Sequence, residues 1–102
     1  MPLPKSVEVG GVKFRIQRTP KAKGDEDFGE IDTDRRVIYI NPSVCKTQKA
    51  EWLTLKHEVA HAALHVSGIG YVLKHKDEEA LVRMLEHIMI PSLEKLTLLE
   101  HS

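Results

Sequence analysis

Thr54-Leu55-Lys56-His57-Glu58-Val59-Ala60-His61-Ala62-Ala63-Leu64-His65 lies just past the middle of the chain and governs how the rest is understood. Residues 57–61 spell H-E-x-x-H. Good helix formers dominate from about Thr47 to Val66, and Ser67-Gly68 supplies a stop, so the stretch is predicted to be helical. Leu53, Val59, Ala60, Ala63 and Leu64 recur at roughly helical spacing and predict its buried side. Residues four apart on a helix share one face, a turn apart. His57 and His61 can therefore converge on one zinc ion, at about 2.0–2.1 Å each. Glu58 stands beside the first histidine, where it reaches a water rather than the metal, as a general base must. The plain alternative is a surface or core-satisfied histidine pair. The helical setting, with small Ala60, Ala62 and Ala63 allowing close approach of other elements, favours the metal.

A catalytic zinc needs a third protein ligand and an open position. His65 continues the four-residue series, but about 12 Å of helix rise separates it from His57. It reads as a helix-end histidine complementing the macrodipole. The metzincin continuation requires glycine three and histidine six residues after His61; Leu64 and Ser67 stand there, which excludes that class. Asp77-Glu78-Glu79 opens the next helix, where acidic residues also complement the dipole. At about 100° per residue, Leu81, Leu85 and Ile88 define an inward stripe. Glu78 lies toward that stripe, Glu79 falls nearly opposite, and Asp77 also points inward but is shorter and stands at or just before the helix start. Glu78 is therefore favoured as third ligand, with Glu79 its nearest substitute. His75, 14 residues after His61 in the preceding link, is the competing ligand.

Upstream, Val7 to Val9 and Val12-Phe14-Ile16 form two short runs around Gly10-Gly11, the pattern of a tight hairpin. The polar segment 20–30 is predicted to be a loop. Asp32-Thr33-Asp34 turns the chain into Val37-Ile38-Tyr39-Ile40, the strongest strand signal, which Asn41-Pro42 ends. Downstream, a second helix begins near Asp77 with apolar Leu81, Met84, Leu85, Ile88 and Met89. Pro91 either kinks it or starts a short helix ending near Leu99. Strands followed by helices predict an α+β fold: a short antiparallel N-terminal sheet packed on the H-E-x-x-H helix and a C-terminal helix.

The whole chain, residues 1–102, is expected to form one domain. Fifteen basic and fifteen acidic residues balance to zero with the six histidines neutral, which argues against a general grip on nucleic acid. Lys21, Lys23, Arg35 and Arg36 are offset by Asp25, Asp27, Asp32 and Asp34 and read as solvated loops. A 41% hydrophobic content suits a folded core. No stretch approaches the roughly 20 apolar residues of a membrane span, and the start lacks a signal-peptide core. With a single cysteine, Cys45, these features predict a cytoplasmic protein free of internal disulfides and without membrane partners. Cys45 reads as a small buried residue rather than a fourth metal ligand. Trp52 and the Met84/Met89 pair read as core or interface packing.

The stretch T-L-K-H-E-V-A-H-A-A-L-H follows a strand ending I-Y-I-N-P and precedes D-E-E-A-L-V-R-M-L. Together, over roughly Gly29 to Leu98, these residues resemble the small zincin-like metallopeptidases of the ImmA/IrrE type and phage-encoded minimal kinds. The resemblance implies a short sheet on the H-E-x-x-H helix and a glutamate ligand from the helix that follows. It also implies zinc as cofactor and a peptide or protein substrate. His57 and His61 match its metal ligands, Glu58 its catalytic base, and Glu78 or Glu79 falls where its glutamate is expected. The family helix reads E-A-N-x-F-A and ends L-L-M-P; this chain reads E-A-L-V-R-M-L-E-H-I-M-I-P, which needs a one-residue shift to match. SprT-like proteases are a second resemblance, with a third histidine where His75 stands. The flanking K-H-K-D lacks the glycines and proline usual there, which ranks it lower.

The expected function is a zinc metallopeptidase, regulatory or of phage or mobile-element origin. The alternative is a non-catalytic zinc-stabilised protein-binding module. Three protein ligands with an open position mark the enzyme, four the structural site. The Val37–Ile40 strand, if at a sheet edge, would pair with an extended substrate. His65, Tyr71 and His75 are the oxyanion partners nearest in sequence.

Overall fold

The computed structural model describes residues 2–19 and 28–101, with side chains as far as Leu96. Gly10 and Gly11 both adopt positive φ, 56° and 79°, the backbone that a two-residue turn between right-twisted strands requires. They join β1 (Ser6–Val9) to β2 (Val12–Arg18) as an antiparallel hairpin with Val9 opposite Val12. β3 (Gly29–Asp32) and β4 (Val37–Ile40) form a second hairpin, Asp32 opposite Val37. Its turn is closed by the Arg35 amide donating to Asp32 Oδ1 at 3.0 Å.

The four strands lie in the order β1-β2-β4-β3, and β2 runs parallel to β4 with Arg15 opposite Val37. The sheet of this α+β fold is therefore mixed, not antiparallel throughout. Alternation of apolar residues fixes which face of a strand is buried but carries no information about its partner. The segment expected to be a loop mostly lies outside the described residues, as do Lys21, Lys23, Asp25 and Asp27. Its last two residues, Gly29 and Glu30, belong to β3. β4 is flanked on both sides by strands, and Val37, Ile38 and Ile40 are buried accordingly. The edge position goes to β3 instead, so Val37–Ile40 has no free side for a substrate.

α1 (Gln48–Ser67) carries the H-E-x-x-H residues. Thr47 caps it by accepting from the Ala50 amide at 3.1 Å, and Gly68 ends it at φ 85°. Glu51, buried in the first turn, is paired with Arg18 of β2, which ties the helix start to the sheet. α1 is buried on two sides. Leu55 and Ala62 join Phe14, Ile38 and Ile40 beneath the sheet, while Ala60 and Leu64 meet Val82. Leu53, placed on the buried side by its spacing, is exposed.

After a short 3₁₀ turn (Ile69–Tyr71), α2 (His75–Met84) passes through a π-helical turn (Leu85–Met89) into α3 (Ile90–His101). In the π turn the Ile90 amide donates to the Leu85 carbonyl, five residues back. Pro91 follows immediately; it has no amide to give and its ring crowds the carbonyl four residues earlier. The widened turn thus falls where the regular ladder would fail. As one of the two expectations for Pro91 has it, a new helix starts there: α3 begins at Ile90, and it runs to His101, slightly past Leu99. Val82 is completely buried, whereas Met84, Ile88 and Met89 are exposed, which displaces the expected apolar stripe and removes the two methionines from the core. Trp52 does pack against the sheet-side core. No helix among the described residues is long and apolar enough to cross a membrane.

Candidate metal centre

His57 and His61 stand one turn apart on α1, their ring centroids 4.9 Å apart and the planes inclined at 71°. α2 crosses them with its acidic start. Val82, fixed against Ala60 and Leu64, sets which face of α2 meets α1. Glu79 lies three residues before it and Glu86 four after, so both share that face. Glu79 Oε1 is 3.3 Å from His61 Nε2. His57, His61 and Glu79 each offer one ligand atom, and these atoms all lie within 4.8 Å of one another.

The other nitrogens are also engaged. His61 Nδ1 lies 2.8 Å from Glu78 Oε2, and His57 Nδ1 lies 2.8 Å from Glu86 Oε2. A carboxylate can only accept, so each Nδ1 carries the hydrogen and donates it. With each Nδ1 so held, Nε2 is the ring nitrogen left to ligate a metal, and that of His61 faces Glu79. The donor set fits zinc: two neutral imidazoles and a carboxylate are a catalytic zinc combination. Ligand atoms on a tetrahedral zinc sit about 3.3–3.5 Å apart, as the His61–Glu79 pair does, and the widest separation here needs modest closure.

Glu58 is buried beneath β3. A Cβ added to Gly29 would lie 2.6 Å from Thr54 Cγ2, 2.8 Å from the Tyr39 carbonyl and 3.4 Å from Glu58 Oε2. The edge strand thus approaches the helix at a distance only glycine allows. Burial pushes the Glu58 carboxyl above its ordinary range. The neighbouring charges of His57 and His61 partly offset this, and Glu79 and Glu30 reinforce it.

The structure thus groups Glu79, not Glu78, with the two histidines. Glu78 stands behind His61, on the ring nitrogen away from Glu79. His75 is exposed at the start of α2 and is not part of the group. Cys45 is buried in the sheet-side core, its thiol 3.5 Å from the Phe28 carbonyl and from Thr54 Oγ1. Glu86 was not anticipated. Its only sequence signal is the 3-and-4 spacing of Glu79, Val82 and Glu86.

Two clefts flank the histidines. One, of about 350 Å³, is walled by Phe28 and Leu53 and reaches His57, Glu58 and Glu86. The other, of about 170 Å³, lies between Ile31, His61, His65 and Tyr71. His65 and Tyr71 therefore stand beside His61, their rings 5.4 Å apart.

Residues 9–93 match the family described as the IrrE N-terminal-like domain, a peptidase family. The chain belongs to that family. Membership agrees with the first of the two resemblances read from the sequence and with the sheet-and-helix fold. It supports a metallopeptidase class, with peptide or protein substrates, at the level of the family. Among the described residues of this IrrE N-terminal-like domain, the His57/His61/Glu79 group could hold a metal. No curated protein and no solved structure matches the chain.

Proposed function

We propose that the chain is a zinc-dependent metallopeptidase in which His57, His61 and Glu79 hold the metal and Glu58 is the general base. The supporting observation is the convergence of two imidazoles and one carboxylate beside a buried glutamate that is not itself in the group. Three protein ligands leave a position open for chemistry, which favours an enzyme over a zinc-stabilised module. Bound zinc supplies polarisation of the scissile carbonyl and acidifies a water, toward a pKa of about 7.

The chain's own residues do the rest. Glu58 takes a proton from the attacking water on its carboxylate and passes it to the leaving amine as the C–N bond breaks, so the group ends as it began. The outer side of β3 offers backbone groups to an extended peptide, and the two clefts beside it receive side chains on either side of the histidines. The larger cleft, with Phe28 and Leu53 exposed on its wall, suits an apolar side chain. His65 and Tyr71 supply donors on the opposite side. Glu58→Gln is expected to retain zinc, measured by metal analysis, and to abolish peptide hydrolysis. Hydrolysis at the parent rate would sink the proposal.

A further inference from the structure

Both histidines are gripped from behind as well as offered forward. The two grips are independent contacts of the same kind, 2.8 Å from a ring Nδ1 to a carboxylate oxygen, made by residues eight apart on the α2 rod. α1 and α2 run in opposite directions here: the earlier histidine meets the later glutamate and the later histidine the earlier one. The glutamates are mostly shielded, with side chains 27% exposed at Glu78 and 17% at Glu86. A neutral imidazole in water carries its hydrogen on either nitrogen, and one whose Nε2 is protonated cannot ligate through that atom.

We propose that Glu78 and Glu86 are positioning residues that hold His61 and His57 in the Nδ1–H form. Each also fixes the rotation of its ring, with His61 Nε2 toward Glu79 and the Nε2 of His57 left as its ligating nitrogen. The benefit of that arrangement rests on the metal site proposed above, but the arrangement itself belongs to the protein without metal. Glu86 acts from two residues beyond the end of α2, outside any recognisable motif. It reaches His57 because Val82 turns the Glu79–Val82–Glu86 face toward α1. A carboxylate behind a ligating imidazole raises its basicity, and its loss typically costs about 10–100-fold in metal affinity.

The test has one arm in the metal-free protein and one with metal. With chelator present, at a pH where both rings are neutral, long-range ¹H–¹⁵N NMR reads which nitrogen of each histidine is protonated. His57 and His61 are expected in the Nδ1–H form. Glu86→Ala should move His57 alone toward Nε2–H, and Glu78→Ala should move His61 alone. Glu86→Gln keeps an acceptor oxygen and should restore the parent pattern, which a merely structural role would not do. With Co²⁺ as probe, competition against a chromogenic chelator should show about tenfold or greater weakening in each alanine variant. An Nε2–H signal for both rings in the parent overturns the proposal, as does unchanged tautomer and affinity in Glu86→Ala. A parent protein with the Nδ1–H pattern and no zinc uptake removes the metal reading while the carboxylate grip stands.

Discussion

Glu58, the base in the proposed function, is a buried carboxyl. Its pKa is raised chiefly by burial, so the fold favours the protonated form. A group raised in this way contributes fully below its unfolded pKa, about 4.3, and that contribution is lost as pH rises through the folded value. Glutamine cannot ionise and escapes the loss. Urea unfolding with chelator present should therefore show Glu58→Gln gaining stability relative to the parent between pH 4 and pH 8. A difference independent of pH would contradict the burial account. The place of Glu58 beside His57 is legible in H-E-x-x-H spacing alone. Its burial is not, because the residue covering it, Gly29, lies 29 positions away in a strand with little apolar signal.

Among the elements, β3 and α2 decide how the site is enclosed, and both were the least legible. β3 reads G-E-I-D, too short and polar to announce itself, yet it forms the sheet edge over α1. Its closeness depends on Gly29. Gly29→Ala would force a methyl against Thr54 and the Tyr39 backbone, with an expected cost of about 1–3 kcal/mol in denaturant unfolding. It should also impair hydrolysis, since the displaced strand forms the roof over Glu58. Unchanged stability would show that the strand yields freely. In α2, an apolar stripe drawn through Leu81, Leu85 and Ile88 ranks Glu78 above Glu79. The structure instead buries Val82 completely and leaves Ile88 exposed, which brings Glu79 to the histidines. Periodicity locates residues relative to one another on a helix, whereas the contact with Ala60 and Leu64 sets where the inward direction lies.

At the scale of the whole molecule, two cores of unequal size share α1. The sheet-side core holds Phe14, Ile38, Ile40 and Leu55, while among the described residues the smaller cluster where α2 docks is Ala60, Leu64 and Val82, with Leu81 and Leu85 partly buried against it. Few buried apolar groups mean a low local opening free energy, so α2 is released more readily than the sheet. A metal bridging α1 and α2 binds only the docked form, and at 100 times its Kd it adds about 2.7 kcal/mol. Zinc should therefore slow amide hydrogen exchange across residues 78–86 far more than in β1 and β2. Equal protection of helix and sheet would contradict this division.

The sequence by itself determined what depends on neighbours along the chain: the H-E-x-x-H helix with its threonine and glycine ends, the histidine pair on one face, the Gly-Gly hairpin and the α+β order. These follow from backbone propensity and from spacings within single elements. Only the tertiary structure decided the parallel pairing of β2 with β4, the edge position of β3, the choice of Glu79 to face the histidines, and the seats of Glu78 and Glu86 behind them. Each of those depends on which surface of one element meets another. That is settled by packing in three dimensions, Val82 into Ala60 and Leu64, Gly29 onto Thr54, and no periodicity within one element records it.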